Sequence, residues 1–383
     1  MKKRLLALLL GTAMAATLLA GCGSSSSSTT TETTEEEAEE TEEEAAEETE
    51  EAEEASDTAS AGDEADLPDA SGDPAITIVF SGASFTAMYD AEEVFTNMVN
   101  ELSGGSITID WHPNNELGDD LNIITSVSTG DIDMGVTSPA AVTTMLPNLS
   151  LFDAYYIITD QQTAYDVMDG EIGDALEADA EELNMKLVGW CENGFRNLTV
   201  AGREVNTLED LSGLKIRTMQ NTLQMAAWSA LGTNPTPMAF TEVFTALQQG
   251  TIDAQENPLG LISSNSFMDV QDHLVITQHV YTPMIIYMNM DKYNSMTDAQ
   301  KEVFDYCMDY MVEWERQHNI ETNEEILATF EEEGVDVVYL DDSVIADFQT
   351  AIQEAGVYDQ VRDAMADPEL FDQLLEVCGV TLD

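Results

Sequence analysis

The chain has 383 residues, 75 Asp and Glu against 12 Lys and Arg, and a formal net charge of −63. An acid surplus on this scale excludes nucleic-acid binding, which needs clustered cations, and docking on anionic lipid through a basic face. Hydrophobic residues still make up 43%, enough for a sizeable core, and the length allows two domains or one large two-lobed one.

The charge is unevenly spread along the chain. Residues 1–22 carry Lys2, Lys3 and Arg4 and no acid, followed by an apolar run from Leu5 to Leu19. That run is shorter than the roughly 20 residues a membrane span needs. It ends Leu19-Ala20-Gly21-Cys22, with a Ser/Thr run after it, and resembles a bacterial lipoprotein signal whose Cys carries the lipid. Residues 23–74 hold 21 acids, no cation and no aromatic. Such a segment buries too little apolar surface to offset its ordering entropy and is expected to be a disordered tether, extended by its own repulsion.

The remainder, 75–383, holds 54 acids and nine cations, a net of −45, and reads as alternating strands and helices. Ile76–Phe80 is β-branched and apolar, a buried strand. Helical periodicity runs from about Ala87 to Leu102 until Gly104-Gly105 stops it, and Ile107–Trp111 is the next strand. This β-α-β order predicts a parallel sheet. A helix from about Asp119 to Thr129 meets Gly130 and a strand from Asp131 to Val136. The phrase recurs 120 residues later, where Leu247-Gln248-Gln249-Gly250-Thr251-Ile252-Asp253 repeats Val127–Asp133 and points to two lobes of related construction. Leu214–Arg217 is a strand, Leu223–Leu231 and Thr241–Gln249 are helices, and Ile252–Gln255 is a strand. Thr297-Asp298-Ala299-Gln300 is a capping box, and the absence of Gly and Pro from Asp298 to Glu333 predicts one helix of about 54 Å, long enough to brace both lobes.

Catalytic signatures are missing: no G-x-S-x-G, no P-loop, no G-x-G-x-x-G after a strand, and no H-E-x-x-H. His112, His273, His279 and His318 show no metal spacing, so no cofactor or metal is expected, and binding is favoured over catalysis. Cys191, Cys307 and Cys378 form no C-x-x-C pair, and no disulfide framework is expected. Five of the nine cations fall between Lys186 and Arg217. In open α/β sheets ligands sit beyond strand carboxyl ends. Arg217, Arg196 and Asn257 all follow strands there, and a guanidinium grips a carboxylate with a planar fork. Arg196 serves equally well as a ligand contact or as half of a structural ion pair. Lys215 and Arg203 read as surface charges, and Phe240 reads as a core residue that is also placed to pack on a ligand's carbon skeleton.

Gly194-Phe195-Arg196-Asn197-Leu198-Thr199, Lys215-Ile216-Arg217, the run Leu231–Gly250 through Pro237-Met238-Ala239-Phe240, and Ile252-Asp253-Ala254-Gln255-Glu256-Asn257-Pro258 together resemble the DctP-like solute-binding proteins of TRAP (tripartite ATP-independent periplasmic) transporters. Weaker similarity extends over most of 75–340. The resemblance implies an α/β, two-lobed periplasmic-binding-protein-like fold, with a cleft between lobes and a long bracing helix. Lobe 1 would take about 75–194 and 283–322, lobe 2 about 195–282 and 323–383. It further implies a non-enzymatic receptor outside the cytoplasm; a monomer is expected, and the lipoprotein-like signal implies that it is held by lipid at Cys22. The ligand is a small organic acid gripped by Arg217, with Arg196, Phe240 and Asn257 lining the same pocket, and the partners are TRAP permease subunits. Two departures stand out: Asn122 where the family often has Glu or Asp, and a Ser81–Ser84 loop without the His many members carry. A ligand-binding partner of a sensor kinase would use the same fold, and an extracytoplasmic enzyme acting on organic acids is a third reading. Cys22→Ala is expected to release the protein or leave it unprocessed, and unchanged lipid labelling of that variant would refute the anchor.

Overall fold

The computed structural model describes residues 67–382, Ser84 excepted. Cys22 and the acidic run as far as residue 66 lie outside the described residues. The last eight residues of the expected tether are ordered, which corrects its boundary at 74. Ala70 is fully buried, the Asp73 carboxylate accepts from Thr297 Oγ1, and Gln300 Nε2 donates to Pro74 O at 2.9 Å.

Chain order begins β1 (Ile76–Gly82), α1 (Thr86–Leu102), β2 (Ile107–His112), α2 (Asp120–Thr129) and β3 (Met134–Thr137). Helices α3 (Pro139–Val142), α4 (Gln161–Met168) and α5 (Glu171–Glu181) lead to the long strand β4 (Met185–Phe195). Next come β5 (Asn197–Val200), β6 (Lys215–Thr218), α6 (Thr222–Ala230), β7 (Asn234–Pro237), α7 (Val243–Gln248), β8 (Ala254–Asn257), α8 (Leu259–Ser264) and β9 (His273–Ile276). The chain then returns through β10 (Tyr281–Asn289) and α9 (Met290–Ser295) to α10 (Asp298–Glu333), and ends with β11 (Asp336–Tyr339), α11 (Asp342–Glu354), α12 (Val357–Ala364) and α13 (Glu369–Val377).

Two sheets result, β2-β1-β3-β10-β4 and β11-β9-β5-β8-β6-β7. The β1-α1-β2 unit is parallel, with Ile76 opposite Ile107, and β3 adds in parallel on the other side of β1. The sheet is nevertheless mixed. Its strand β10 returns from the second sheet and so runs antiparallel to β3 and β4. Two passages cross between the sheets, one from β4 through Arg196 into β5, the other from β9 into β10. They are tied where Arg196 N–H donates to Val280 O at 3.0 Å.

The recurring helix–Gly phrase does not run straight into a strand, since β3 and β8 begin only at Met134 and Ala254, and the Asp before each has one physical role in both sheets. Gly130 and Gly250 end their helices at φ of 83° and 65°, which only glycine adopts without a Cβ penalty. Asp133 then donates its N–H to Val79 O and accepts Val79 N–H on its carboxylate at 2.8 Å. Asp253 does the same to Lys215, with its carboxylate at 3.1 Å from the amide. Each clasp locks the helix–strand turn to the neighbouring strand, β1 or β6, which carries the loop facing the cleft.

Helix α10 spans Asp298–Glu333, as the capping box and the lack of breakers predict. Val303, Phe304, Met308 and Met311 join the core beneath α1 and the first sheet. Phe330, with Ile326 and Leu327, joins a separate core against α7 and α8 of the second. One rigid rod thus reaches the cores of both lobes. Thr297 caps it by accepting Gln300 N–H at 3.1 Å, while Gln300 Oε1 accepts Thr297 N–H at 3.1 Å. Removing the hydroxyl in Thr297→Ala orphans a helix donor and frees Asp73, so it should cost about 1–2 kcal/mol in urea unfolding.

Candidate functional site

The site lies where the crossing passages meet the carboxyl ends of β6 and β8. Arg217, Arg196, Asn257 and Phe240 all line one cavity of about 50 Å³. Arg217 and Asn257 stand near the ends of β6 and β8, Arg196 in the crossing after β4 and Phe240 in the turn after β7, up to 61 positions apart in the chain. An adjoining cavity of about 120 Å³ shares Ala83 and Phe240 with it.

Arg217 is 2% exposed. Lys215 at the start of β6 faces solvent, whereas Ile216, Arg217 and Thr218 are buried, so the guanidinium points into the fold. Its Nε and Nη2 donate to Met238 O at 3.2 and 3.0 Å, which fixes the plane of the group. Nη1 is buried in the cavity wall without a partner. The guanidinium stands 5.9 Å from the Phe240 ring centroid, within reach of a cation–π contact. Burial lowers its pKa to about 10, with Glu256 opposing that shift, and leaves it cationic at neutral pH. Arg217 thus offers an oriented donor and a positive charge to the cavity.

Arg196 has a different job. Its Nε donates to Glu256 Oε2 at 2.5 Å and its Nη2 to Oε1 at 2.9 Å, with both residues essentially inaccessible. Nη2 also reaches Glu256 O and Asn257 Oδ1, and Asn257 Nδ2 is in turn held by Gln255 Oε1. Of the two roles Arg196 admitted, the structure fills the ion pair while keeping the side chain in the cavity wall. Asn257 positions that guanidinium. Arg203 and Lys215 are exposed, as expected of surface charges, and Arg203 Nη1 donates to Asp210 O and Ser212 O.

Glu256 and His279 escaped the sequence reading. His279 is fully buried, with Nε2 at 3.0 Å from Glu256 Oε2 and Nδ1 at 2.7 Å from Thr277 Oγ1. Burial, opposed by Glu256, lowers the imidazole's pKa, so it is neutral and donates from Nε2 to the carboxylate. Burial alone would raise Glu256, but Arg196 and His279 outweigh it and hold the carboxyl at about 2. The only sequence signal for Glu256 was its place in the Gln255-Glu256-Asn257 run. Nothing local marked His279 as its partner, because they come together only when β9 turns back towards β10.

The opposite wall comes from the first lobe. Asp119 caps α2, accepting Asn122 N–H at 2.9 Å, and Asp120 occupies the first turn, both favourable at a positive helix end. Both line the cavity, whereas Asn122 is exposed and does not. Desolvation raises Asp120 to about 6 against the opposing Ser138 amide and Arg217. Ser138 and Asn193 complete the polar lining. Among the described residues no cluster of three or more His, Cys, Asp or Glu is placed to hold a metal, and Cys191, Cys307 and Cys378 are free thiols.

Residues 80–362 match the family described as bacterial extracellular solute-binding protein, family 7, or DctP. The chain belongs to that family. It is 32% identical over 248 residues to the 2,3-diketo-L-gulonate-binding periplasmic protein YiaO of Escherichia coli (strain K12), covering 65% of this chain and 76% of that one. Identity to the sialic acid-binding periplasmic protein SiaP of Vibrio cholerae is 28% over 276 residues, 69% and 82% of the two chains. The sugar acid binding protein DctPAm of Advenella mimigardefordensis, solved with galactonate, superposes with a TM-score of 0.77 at 27% identity over 80% of this chain and 98% of that one. A TRAP periplasmic solute binding protein of Roseobacter denitrificans, solved with β-D-glucuronate, gives 0.74 at 26% identity over 80% and 100%. These relatives are binding proteins, not enzymes, and the family is extracytoplasmic.

Glu256 is the residue whose loss the lobe crossing should tolerate least. Its depressed pKa contributes stability that is fully present above the ordinary value of 4.5 and lost as pH falls through about 2. Glu256→Gln leaves Arg196 buried and uncompensated and should cost about 3–5 kcal/mol at pH 7. Urea midpoints measured across pH should also lose part of the wild-type decline between 4.5 and 2.

Proposed function

We propose that this protein is the extracytoplasmic receptor of a TRAP transporter, that it binds a small organic acid through Arg217, and that it hands the ligand to membrane permease subunits. The observation that carries this reading is the unpartnered Nη1 of a buried, cationic guanidinium whose other two donors are pinned to Met238 O. A carboxylate supplies the acceptor and the counter-charge together. Arg196, already neutralised by Glu256, lines the wall without needing the ligand's charge. Phe240 offers a face to the ligand's carbon skeleton, and Asn257 keeps Arg196 in place. The organic acids bound by DctPAm and by the Roseobacter protein support the ligand class.

In this proposal the lobes divide as about 75–194 with 283–322 and 195–282 with 323–383, and they close over the acid. Cys22 and the acidic run after it hold the receptor, a monomer, at the membrane by a lipid. No cofactor is required.

The ligand is to be identified by mass spectrometry of material released on denaturing the purified protein, and then used in calorimetry. Arg217→Ala should weaken its binding by about 2–5 kcal/mol, the cost of truncating one partner of a buried charge pair. Arg217→Lys should also lose much of the affinity, because an ammonium cannot present the planar fork. Arg203→Ala should bind as the wild type does. Wild-type affinity in a folded Arg217→Ala variant would refute the site.

A further inference from the structure

The strand β4 carries an irregularity where it borders the cavity. Gly194 lies opposite Thr282 of β10 and Glu192 opposite Pro283, so Asn193 is the extra residue of a β-bulge. Bulges re-aim a side chain, and here the following Gly194 has φ of +101°, a conformation side chains avoid. A Cβ at Gly194 would stand 3.3 Å from Glu192 Oε1.

The bulge is braced from behind. Glu192 N–H donates to Glu315 Oε2 at 2.8 Å, Asn319 Nδ2 donates to Glu192 O at 3.2 Å, and Tyr281 OH donates to Glu192 Oε2 at 2.7 Å. Helix α10 and strand β10 thus hold Glu192, immediately before Asn193, by its backbone and its carboxylate. The product of this construction is one carboxamide, 1% exposed, lining the cavity with both Nδ2 and Oδ1 unpartnered. Ser138 Oγ, 7% exposed, lines the same cavity and is also unpartnered.

We infer that Asn193 is a specificity-determining residue that reads ligand hydroxyl groups, and that the ligand is a hydroxylated monocarboxylate rather than a dicarboxylate. A carboxylate only accepts hydrogen bonds, and Arg217 Nη1 meets that need. Asn193 presents a donor and an acceptor together, and Ser138 does the same. A hydroxyl, which both donates and accepts, satisfies each of them, whereas a second carboxylate satisfies only the donors. That second carboxylate would also have to lie in a wall that contains Asp119 and Asp120, with Arg196 already committed to Glu256. Unpaired buried polar groups are what makes a site reject an analogue lacking the matching hydroxyl.

The inference rests on the carboxylate reading of Arg217, and its test separates the two. Calorimetry on the purified protein would use D-erythronate and D-gluconate as hydroxylated monocarboxylates, succinate as a dicarboxylate, and butanoate as the unhydroxylated acid. At least one of the two hydroxy acids should bind, with succinate and butanoate at least about 100-fold weaker. Asn193→Ala should weaken the bound hydroxy acid about tenfold or more and narrow its advantage over butanoate. Asn193→Ser, smaller and still polar, should retain part of that advantage and stands in if the alanine variant does not fold. Failure of both hydroxy acids to bind, equal binding of succinate, or unchanged hydroxy-acid affinity in a folded Asn193 variant overturns the inference. Arg217→Ala run against the same acids reports on the carboxylate reading alone. Loss of every acid upholds it even where the Asn193 result fails, and undiminished binding sinks both.

Discussion

The buried contact of Arg196 with Glu256, supported by His279 and Asn257, is the interaction on which the site depends. It sits where β4 passes into β5, beside the return passage from β9 to β10, and joins the first crossing to the end of β8. A charge pair this deeply buried is costly to desolvate and stable only when its geometry and remaining hydrogen bonds are satisfied. Here Arg196 bonds both carboxylate oxygens and Glu256 O, and the neutral His279 donates to Oε2. The pair thus ties the β4–β5 crossing to the end of β8, beside Arg217 and Asn193 in the cavity wall.

The same pair resolves an electrostatic difficulty. The folded part carries a net charge of −45, yet the cavity keeps a cationic guanidinium, Arg217, with no carboxylate partner. Salt screens the surrounding acids beyond roughly 8–10 Å, so short-range donors decide the matter. Arg217 is left with an unpaired donor because Arg196, not Arg217, neutralises Glu256. Had Arg217 paired with Glu256 as well, the cavity would hold no guanidinium with a free donor. Met238 O holds Arg217 in orientation without cancelling its charge, since a carbonyl carries a dipole and no net charge.

Separate contacts brace the two sheets and the connection between them. Helix α10 is anchored in one core near Phe304 and in another near Phe330, so it resists independent drift of the sheets. The Asp133 and Asp253 clasps stiffen the strand ends in each sheet. The two β-passages between the sheets run alongside the site and are tied to each other at Arg196 N–H and Val280 O.

Patterns with short-range causes were legible in the amino-acid sequence. The β1-α1-β2 unit, the two helix–Gly turns, the full extent of α10 and the placing of Arg196, Arg217 and Asn257 at strand ends were read from periodicity, capping and turn chemistry. These depend on residues within a few positions of one another, or on a motif run. Tertiary structure alone decided the rest. Whether Arg196 meets a ligand or an acid depends on Glu256, 60 residues away, and on His279 beyond it. Asn193 appears in sequence as one polar residue before a glycine, and its orientation is set by a bulge created when β10 returns antiparallel with a shifted register. The ordered Leu67–Pro74 segment likewise takes its place from Thr297 and Gln300, more than 220 residues later. Hydrogen bonding and burial between segments so far apart have no signature in local composition, and they arise only when the chain folds back on itself.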